Sequence, residues 1–265
     1  MRKVFLTLIM FSLLAACGQR SSAPAPQQAP QSGEAHMSFL ATPRFGDLAP
    51  VDWAGRAPSA YPVHGIDVAR YQGEIDWRRA RNAGVSFAYI KATEGGDYLD
   101  PMFKDHWQGA GRAGVRRGAY HFYYFCRPAE EQARWFIRNV PPGAGDLPPV
   151  LDLEWNHTSP TCTKRPPANI VRAEARKFLS ILERHYGQRP IVYTTPEFYR
   201  TTGIGRLRGT QFWLRSVAAH PSKVYPGARW TFWQYTGTGV IPGISGPVDI
   251  NVFAGSPDAF RSWPG

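Results

Sequence analysis

From about residue 63 onward, two kinds of apolar spacing alternate along the chain. Short runs rich in β-branched and aromatic residues, bounded by Gly, Pro or polar residues, read as strands at 64–70, 87–94, 117–125, 149–155, 190–195, 211–217, 230–236 and 248–253. Between the first six lie stretches whose apolar residues recur every three or four positions, the mark of an amphipathic helix, at 75–83, 101–113, 128–140, 168–186 and 196–201. The fourth helix is the clearest, with Ile170, Ala173, Ala175, Phe178, Leu179 and Leu182 forming a stripe among Arg, Lys and Glu. After the sixth strand the connections hold Pro, Gly and Ser with no helical stripe. Five β/α units followed by three strands predict a single-domain α/β fold, a shortened TIM-like (β/α)5β3 barrel. A doubly wound open sheet is the competing arrangement.

The N-terminus has a different pattern. Arg2 and Lys3 precede an apolar run from Val4 to Leu14 that is too short to span a membrane as a helix and ends in Leu14-Ala15-Ala16-Cys17. Residues 1–17 therefore predict a secretory signal whose last four residues resemble a bacterial lipobox, with Cys17 as the lipidated first residue of the mature chain. Residues 18–62 are rich in Ala, Pro, Gln and Ser and poor in residues of core size, which predicts a disordered tether ahead of a barrel at 63–265.

Charge and cysteine content sharpen the compartment. The formal charge is +11, and +9 without Arg2 and Lys3, which favours anionic polymers such as peptidoglycan. No basic run, zinc finger or RNP-type signature points to nucleic acid. Of three cysteines, Cys17 is assigned to lipid, leaving Cys126 and Cys162 as an even pair that predicts a disulfide in an exported protein. No metal cluster or nucleotide loop is evident, so no cofactor is expected.

The candidate chemistry centres on the fourth strand. In PVLDLEW the two-residue period puts Val150, Asp152 and Glu154 on one face and Leu151, Leu153 and Trp155 on the other. With the leucines packed outward on helices, both acids point inward near the C-terminal mouth of a barrel. Burying two carboxylates is unfavourable unless they are partnered or one stays protonated, and a crowded pair raises one pKa. Glu154, nearer the mouth, is the expected proton holder and general acid. Asp67 near the end of the first strand, Glu94 at the end of the second and Asp249 in the last join the same mouth if the barrel closes at modest width. Aromatic residues at strand ends, Tyr120, Phe122, Tyr123, Tyr193, Trp213, Trp233 and Tyr235, suit the apolar C–H faces of sugar rings.

The segments HGIDVARYQGEIDW, IKATEG, GAYHF, LDLEW, WQYT and VDIN, in that order and spacing, resemble glycoside hydrolase family 25, the Chalaropsis-type lysozymes, over about residues 63–253. The resemblance implies a (β/α)5β3 barrel that hydrolyses the β-1,4 bond between N-acetylmuramic acid and N-acetylglucosamine. It implies Glu154 as catalytic acid assisted by Asp152, with Asp67 and Asp249 completing the acidic floor. Tyr120 and nearby aromatics are implied to bind sugar; Phe122, Glu94, Tyr193, Trp213, Arg215 and Gln234 are the further substrate-binding candidates. Substrate-assisted retention, in which the 2-acetamido oxygen attacks the anomeric carbon, fits two acids on one side of the sugar; inversion stays open. Many relatives place an Ala-Arg or Ala-Tyr pair after the tryptophan of the sixth strand, whereas here Trp213-Leu214 leads to Arg215-Ser216.

The expected protein is a monomeric, lipid-anchored wall hydrolase acting on peptidoglycan strands. Gly18 after the lipidated cysteine favours the outer membrane, facing the periplasm, if the source has two membranes. Two other readings are a non-catalytic peptidoglycan-binding lipoprotein and a hydrolase of another amino-sugar polymer such as chitin.

Overall fold

The computed structural model of the chain describes residues 42–141, 143 and 147–263. The signal segment, Cys17 and most of the expected tether lie outside the described residues. Ten strands occur among the described residues: β1 (Gly46–Asp47), β2 (His64–Val68), β3 (Phe87–Glu94), β4 (Tyr98–Leu99), β5 (Arg116–Phe122), β6 (Val150–Leu153), β7 (Ile191–Thr194), β8 (Gln211–Arg215), β9 (Phe232–Val240) and β10 (Val248–Phe253). The helices are α1 (Trp77–Asn82), α2 (Phe103–Arg112), α3 (Ala129–Asn139), α4 (Ala168–Tyr186), α5 (Pro196–Thr202), α6 (Pro221–Val224) and α7 (Pro257–Ser262).

Eight strands pair in the ring β2-β3-β5-β6-β7-β8-β9-β10, and β10 returns to β2 to close a barrel. From β2 through β9 successive strands are parallel, with helices α1 to α5 connecting the first six. Strand β10 runs antiparallel to both neighbours, so the beginning of that strand, where Asp249 stands opposite Asp67, lies at the same end as the tops of the others. The eight barrel strands are those expected from the sequence. Two short pairs, β1 on β9 and β4 on β3, carry too few residues for any periodicity to show.

Alternation along each strand sorts the interior from the wall. Ile66, Val68, Ala88, Ile90, Leu151, Leu153, Val192, Phe212 and Leu214 face the helices in one large apolar cluster. Phe87, Tyr89, Val150, Ile191, Tyr193, Trp213, Phe232 and Phe253 face inward. The base of the interior is an aromatic plug in which Phe87 lies 5.0 Å from Phe232 and 5.5 Å from Phe260 of α7. Gly118 admits this packing, since a Cβ there would stand 2.4 Å from the Tyr89 ring.

Helix α4 keeps its expected limits, but its buried seam runs through Val171, Ala175, Phe178 and Leu182, and Ile170 is exposed. The stripe was placed one residue off at its start because Ile and Val are adjacent there. Helices α6 and α7 were not expected; each is short, starts on a proline, and offers too few turns for a stripe.

Residues 42–62 are not free chain. Beyond β8 the barrel wall has only the short α6 over it, and this segment packs in the gap. Strand β1 pairs with Val240 and Gly239, Trp53 meets Trp233 edge-on at 5.1 Å, and Tyr61 is buried with its hydroxyl 2.9 Å from His220 Nε2. The expected tether therefore loses its C-terminal part, because Phe45, Trp53 and Tyr61 supply apolar surface that average composition conceals. Among the described residues, no helix is long and apolar enough to cross a membrane.

A disulfide joins Cys126 to Cys162, with Cα atoms 5.8 Å apart, as the cysteine count predicts. It ties the turn after β5 to the segment after β6. Reduction is expected to lower the unfolding free energy by about 4 kcal/mol through restored loop entropy over its 36-residue separation. Urea denaturation with and without reductant checks this; equal midpoints, with both thiols shown free by alkylation, contradict it.

Candidate active site

The top of the barrel opens into one cleft of about 840 Å³ lined by Asp67, Glu94, Tyr120, Phe122, Asp152, Glu154, Tyr193, Trp213, Arg215, Gln234 and Asp249, among others. Every acid and candidate sugar-contacting residue expected from the motifs is thus on one surface. Three of the aromatic candidates are not. Tyr123 is buried under the helices against Phe178, while Trp233 and Tyr235 pack on the outer wall beside Tyr61. Each is one residue out of phase with an inward neighbour, Phe122 or Gln234, so strand parity decides against them.

The acids come from strands with different surroundings. Asp67 Oδ2 accepts hydrogen bonds from Asn251 Nδ2 at 2.8 Å and Gln234 Nε2 at 3.0 Å. Burial raises its pKa to about 6, against those two amides and the Arg215 charge, which hold it down. Asp249 faces it in the β10–β2 register, and burial, with the Asp67 charge added, pushes Asp249 up to about 8. Asp152 is 7% exposed, and its Oδ1 is buried without a hydrogen-bond donor among the described residues. Its pKa is raised well above the ordinary carboxylate range, first by burial and then by the charge of Glu154. Glu154 is raised as well, again by burial, while Arg215 opposes the shift.

Both members of the pair are therefore shifted upward, not Glu154 alone as expected. Burial acts on both: Asp152 sits within β6 opposite Phe122 and Tyr193, and Glu154 lies just past the strand end, where Arg215 opposes the shift. Each charge opposes ionisation of the other, so the pair favours holding a proton.

Around the acids stand neutral donors and two cations. Tyr193 Oη donates to Gln234 Oε1 at 2.8 Å, and Trp213 Nε1 donates to Asn251 Oδ1 at 2.7 Å. Burial, with the nearby carboxylates, drives the Tyr120 and Tyr193 hydroxyls far above their usual pKa, so both remain neutral hydrogen-bonding groups. Glu94 is different. Burial pushes its pKa up, but Lys91 at 2.5 Å and the Tyr124 hydroxyl outweigh burial and leave it lowered, a charge-compensated carboxylate. The Lys91 ammonium also sits 4.9 Å over the Phe122 ring.

Lys91 and Asn251 are site residues the sequence reading passed over. Each had a signal: Lys91 shares inward parity with Phe87 and Tyr89 on β3, and Asn251 follows Asp249 by two on β10. The rim had none. Arg70, Tyr71, Tyr98, Tyr124, Asn156 and residues 158–161 reach the cleft from loops, a single 3-10 turn or a two-residue strand. Ser159 Oγ shapes that last loop by accepting from Cys162 N at 3.0 Å, next to the disulfide. Among the described residues, no group of three or more His, Cys, Asp or Glu side chains is arranged to hold a metal ion.

The sequence pattern of glycosyl hydrolases family 25 matches residues 66–244. The uncharacterized protein YegX of Escherichia coli K12 is 37% identical, over 80% of this chain and 76% of its own length. Lysozyme M1 of Streptomyces globisporus is 35% identical, over 88% of this chain and 82% of its own. Among solved structures, a family 25 glycosyl hydrolase from Bacillus anthracis superposes with a TM-score of 0.72 at 37% identity, covering 79% of this chain and 97% of that one.

The raised acids have a consequence for stability. With a folded pKa of about 8 against an ordinary 3.8, Asp249 binds a proton in the native state that the unfolded chain has already released across that interval. Folding stability is thus expected to fall as pH rises from about 4 to about 8, and Asp249→Asn to flatten that slope and stabilise the protein at neutral pH. Denaturation midpoints across that range test it; an equally steep decline in the variant contradicts it.

Proposed function

The chain belongs to glycosyl hydrolases family 25, and from that membership we propose that it is a lysozyme, a glycosidase that hydrolyses the glycan of peptidoglycan. The bond is the β-1,4 linkage between N-acetylmuramic acid and N-acetylglucosamine. The observation that carries this reading is the proton-sharing pair Asp152 and Glu154 at the top of an aromatic-lined cleft.

Glu154, nearer the opening, gives its proton to the leaving glycosidic oxygen. Burial raises its pKa and so favours the protonated form that this role needs. Asp152, which lines the cleft, takes the 2-acetamido group of the sugar, its carboxyl holding the amide N–H, so that the acetamido oxygen attacks the anomeric carbon from within the substrate. The oxazolinium ion so formed opens when water, deprotonated by Glu154, adds to the anomeric carbon on the face the leaving group vacated, breaking the bond to the acetamido oxygen, and the configuration is retained.

Inversion requires a separate ionised carboxylate to activate water on the opposite face. Asp249, pushed up to about 8, holds a proton at neutral pH, and Asp67 is engaged by two amides, so neither is a free base. This disfavours inversion and leaves Asp67 and Asp249 to shape and polarise the floor beneath the sugar.

Glu154→Gln is expected to cut hydrolysis of purified peptidoglycan by about 10²–10⁴-fold, the usual contribution of a general acid. New reducing ends at muramic acid, seen by muropeptide analysis with the wild type and lost in the variant, support the assignment. Identical profiles for the two proteins favour a non-catalytic wall-binding protein, and release from chitin but not peptidoglycan favours the other amino-sugar polymer.

Cys17 is proposed as the lipid attachment site, holding the enzyme on a membrane that faces the wall, the outer membrane in a two-membrane cell. Mass spectrometry of the mature N-terminus is expected to find an acylated Cys17; an unmodified terminus at another residue contradicts it.

A further inference from the structure

At the rim of the cleft, directly after β2, the chain turns through Arg70-Tyr71-Gln72 in a single 3-10 turn. The turn is fixed from beneath. Asp100, buried in the wall, accepts from the Arg70 backbone N–H at 3.1 Å, and Gln72 Oε1 accepts from Ala69 N at 2.9 Å. The Arg70 guanidinium is itself held: Nη1 donates to the Tyr98 hydroxyl at 2.7 Å, Nη2 to the Tyr71 hydroxyl at 3.4 Å, and the group lies 5.0 Å and 5.6 Å from the two ring centres. Tyr71 is 74% exposed.

Arg70 has no carboxylate within ion-pair distance among the described residues, whereas the other charged groups on its side of the cleft are matched. Lys91 is paired with Glu94, and Arg127 with both Asp97 and Glu131. A guanidinium has five donors, and two phenol oxygens occupy only two of them. What remains is an exposed, oriented fork beside the groove that the glycan must follow, with the geometry that pairs with a carboxylate. A neutral amino-sugar polymer offers it nothing. Peptidoglycan offers carboxylates, carried on the peptides that hang from muramic acid.

We infer that Arg70, set by Tyr71 and Tyr98, is a specificity-determining subsite for a stem-peptide carboxylate, so that the enzyme favours glycan bearing free acidic peptides over glycan whose peptides are amidated or absent. The inference rests on the peptidoglycan reading above and adds the feature of the substrate that is recognised. Tyr71, flat and solvent-facing, also offers a surface for the adjoining sugar or peptide.

The test measures binding to full-length Glu154→Gln protein, with and without a second change Arg70→Gln, so that it does not depend on turnover. The probes are soluble peptidoglycan strands of one length in three forms: with free peptide carboxyls, with those carboxyls converted to amides by carbodiimide and ammonia, and with peptides removed by an amidase. An exposed, oriented ion pair is worth about fivefold in affinity, so free-acid strands are expected to bind about that much more tightly than amidated ones. That preference is expected to disappear with Arg70→Gln, to persist with Arg70→Lys in reduced form, and to shrink in high salt.

An unchanged preference in Arg70→Gln overturns the inference, as does equal weakening on free-acid and amidated strands. Equal binding of peptide-bearing and peptide-stripped strands also overturns it, since the latter keep only the lactyl carboxylate. Failure of the wild type to cut peptidoglycan while the charge preference is present in Glu154→Gln and lost with Arg70→Gln refutes the hydrolase reading and leaves the subsite standing.

Discussion

Asp152 and Glu154 stand two residues apart at the end of one strand, and the period of a strand turns both carboxyls to the same side. Barrel closure removes the alternative of splaying into water, because Tyr120, Tyr193 and Trp213 occupy the flanking inward positions. Crowded acids in a medium of low polarity do not all ionise, so a retained proton is the physical consequence. The surroundings keep this tolerable: Asn251 and Gln234 satisfy Asp67, Arg215 draws down three of the acids, and Lys91 is matched by Glu94.

The rest of the barrel sustains that unfavourable layer. Below it lies Trp213 in contact with both Tyr89 and Tyr193, and below them the plug of Phe87, Phe232, Phe253 and Phe260. Apolar burial at the base offsets polar burial at the mouth. The wall beyond β8, thinly covered by helix, is closed by residues 42–62, and the disulfide secures the loop at the rim. Stability and chemistry are thus separated along the barrel axis, with the destabilising groups confined to the open end.

Sequence alone was most informative where a period repeats. Alternation in β6 placed Asp152 and Glu154, and the same parity excludes Tyr123, Trp233 and Tyr235 and includes Lys91 and Asn251, whereas Glu94 reaches the cleft only through the register shift that interrupts β3 between Lys91 and Thr93. It was silent where structure comes from single contacts at a distance. Trp53 belongs to the outer wall only because Trp233 lies there to meet it edge-on, and Arg70 is oriented at the cleft only because Tyr98 reaches it from a two-residue strand. That burial raises Asp152 as well as Glu154 likewise depends on how the strands flanking β6 enclose it.

The retained proton is the claim on which the chemistry turns, and a carbon-13 NMR titration of the labelled Asp and Glu carboxyls reads it directly. The account predicts that the Asp152 carboxyl titrates well above the ordinary range in the wild type and moves down when Glu154 is replaced by Gln. Independent titration of Asp152 and Glu154 near the ordinary carboxylate values of about 4, unaffected by each other's removal, would contradict it.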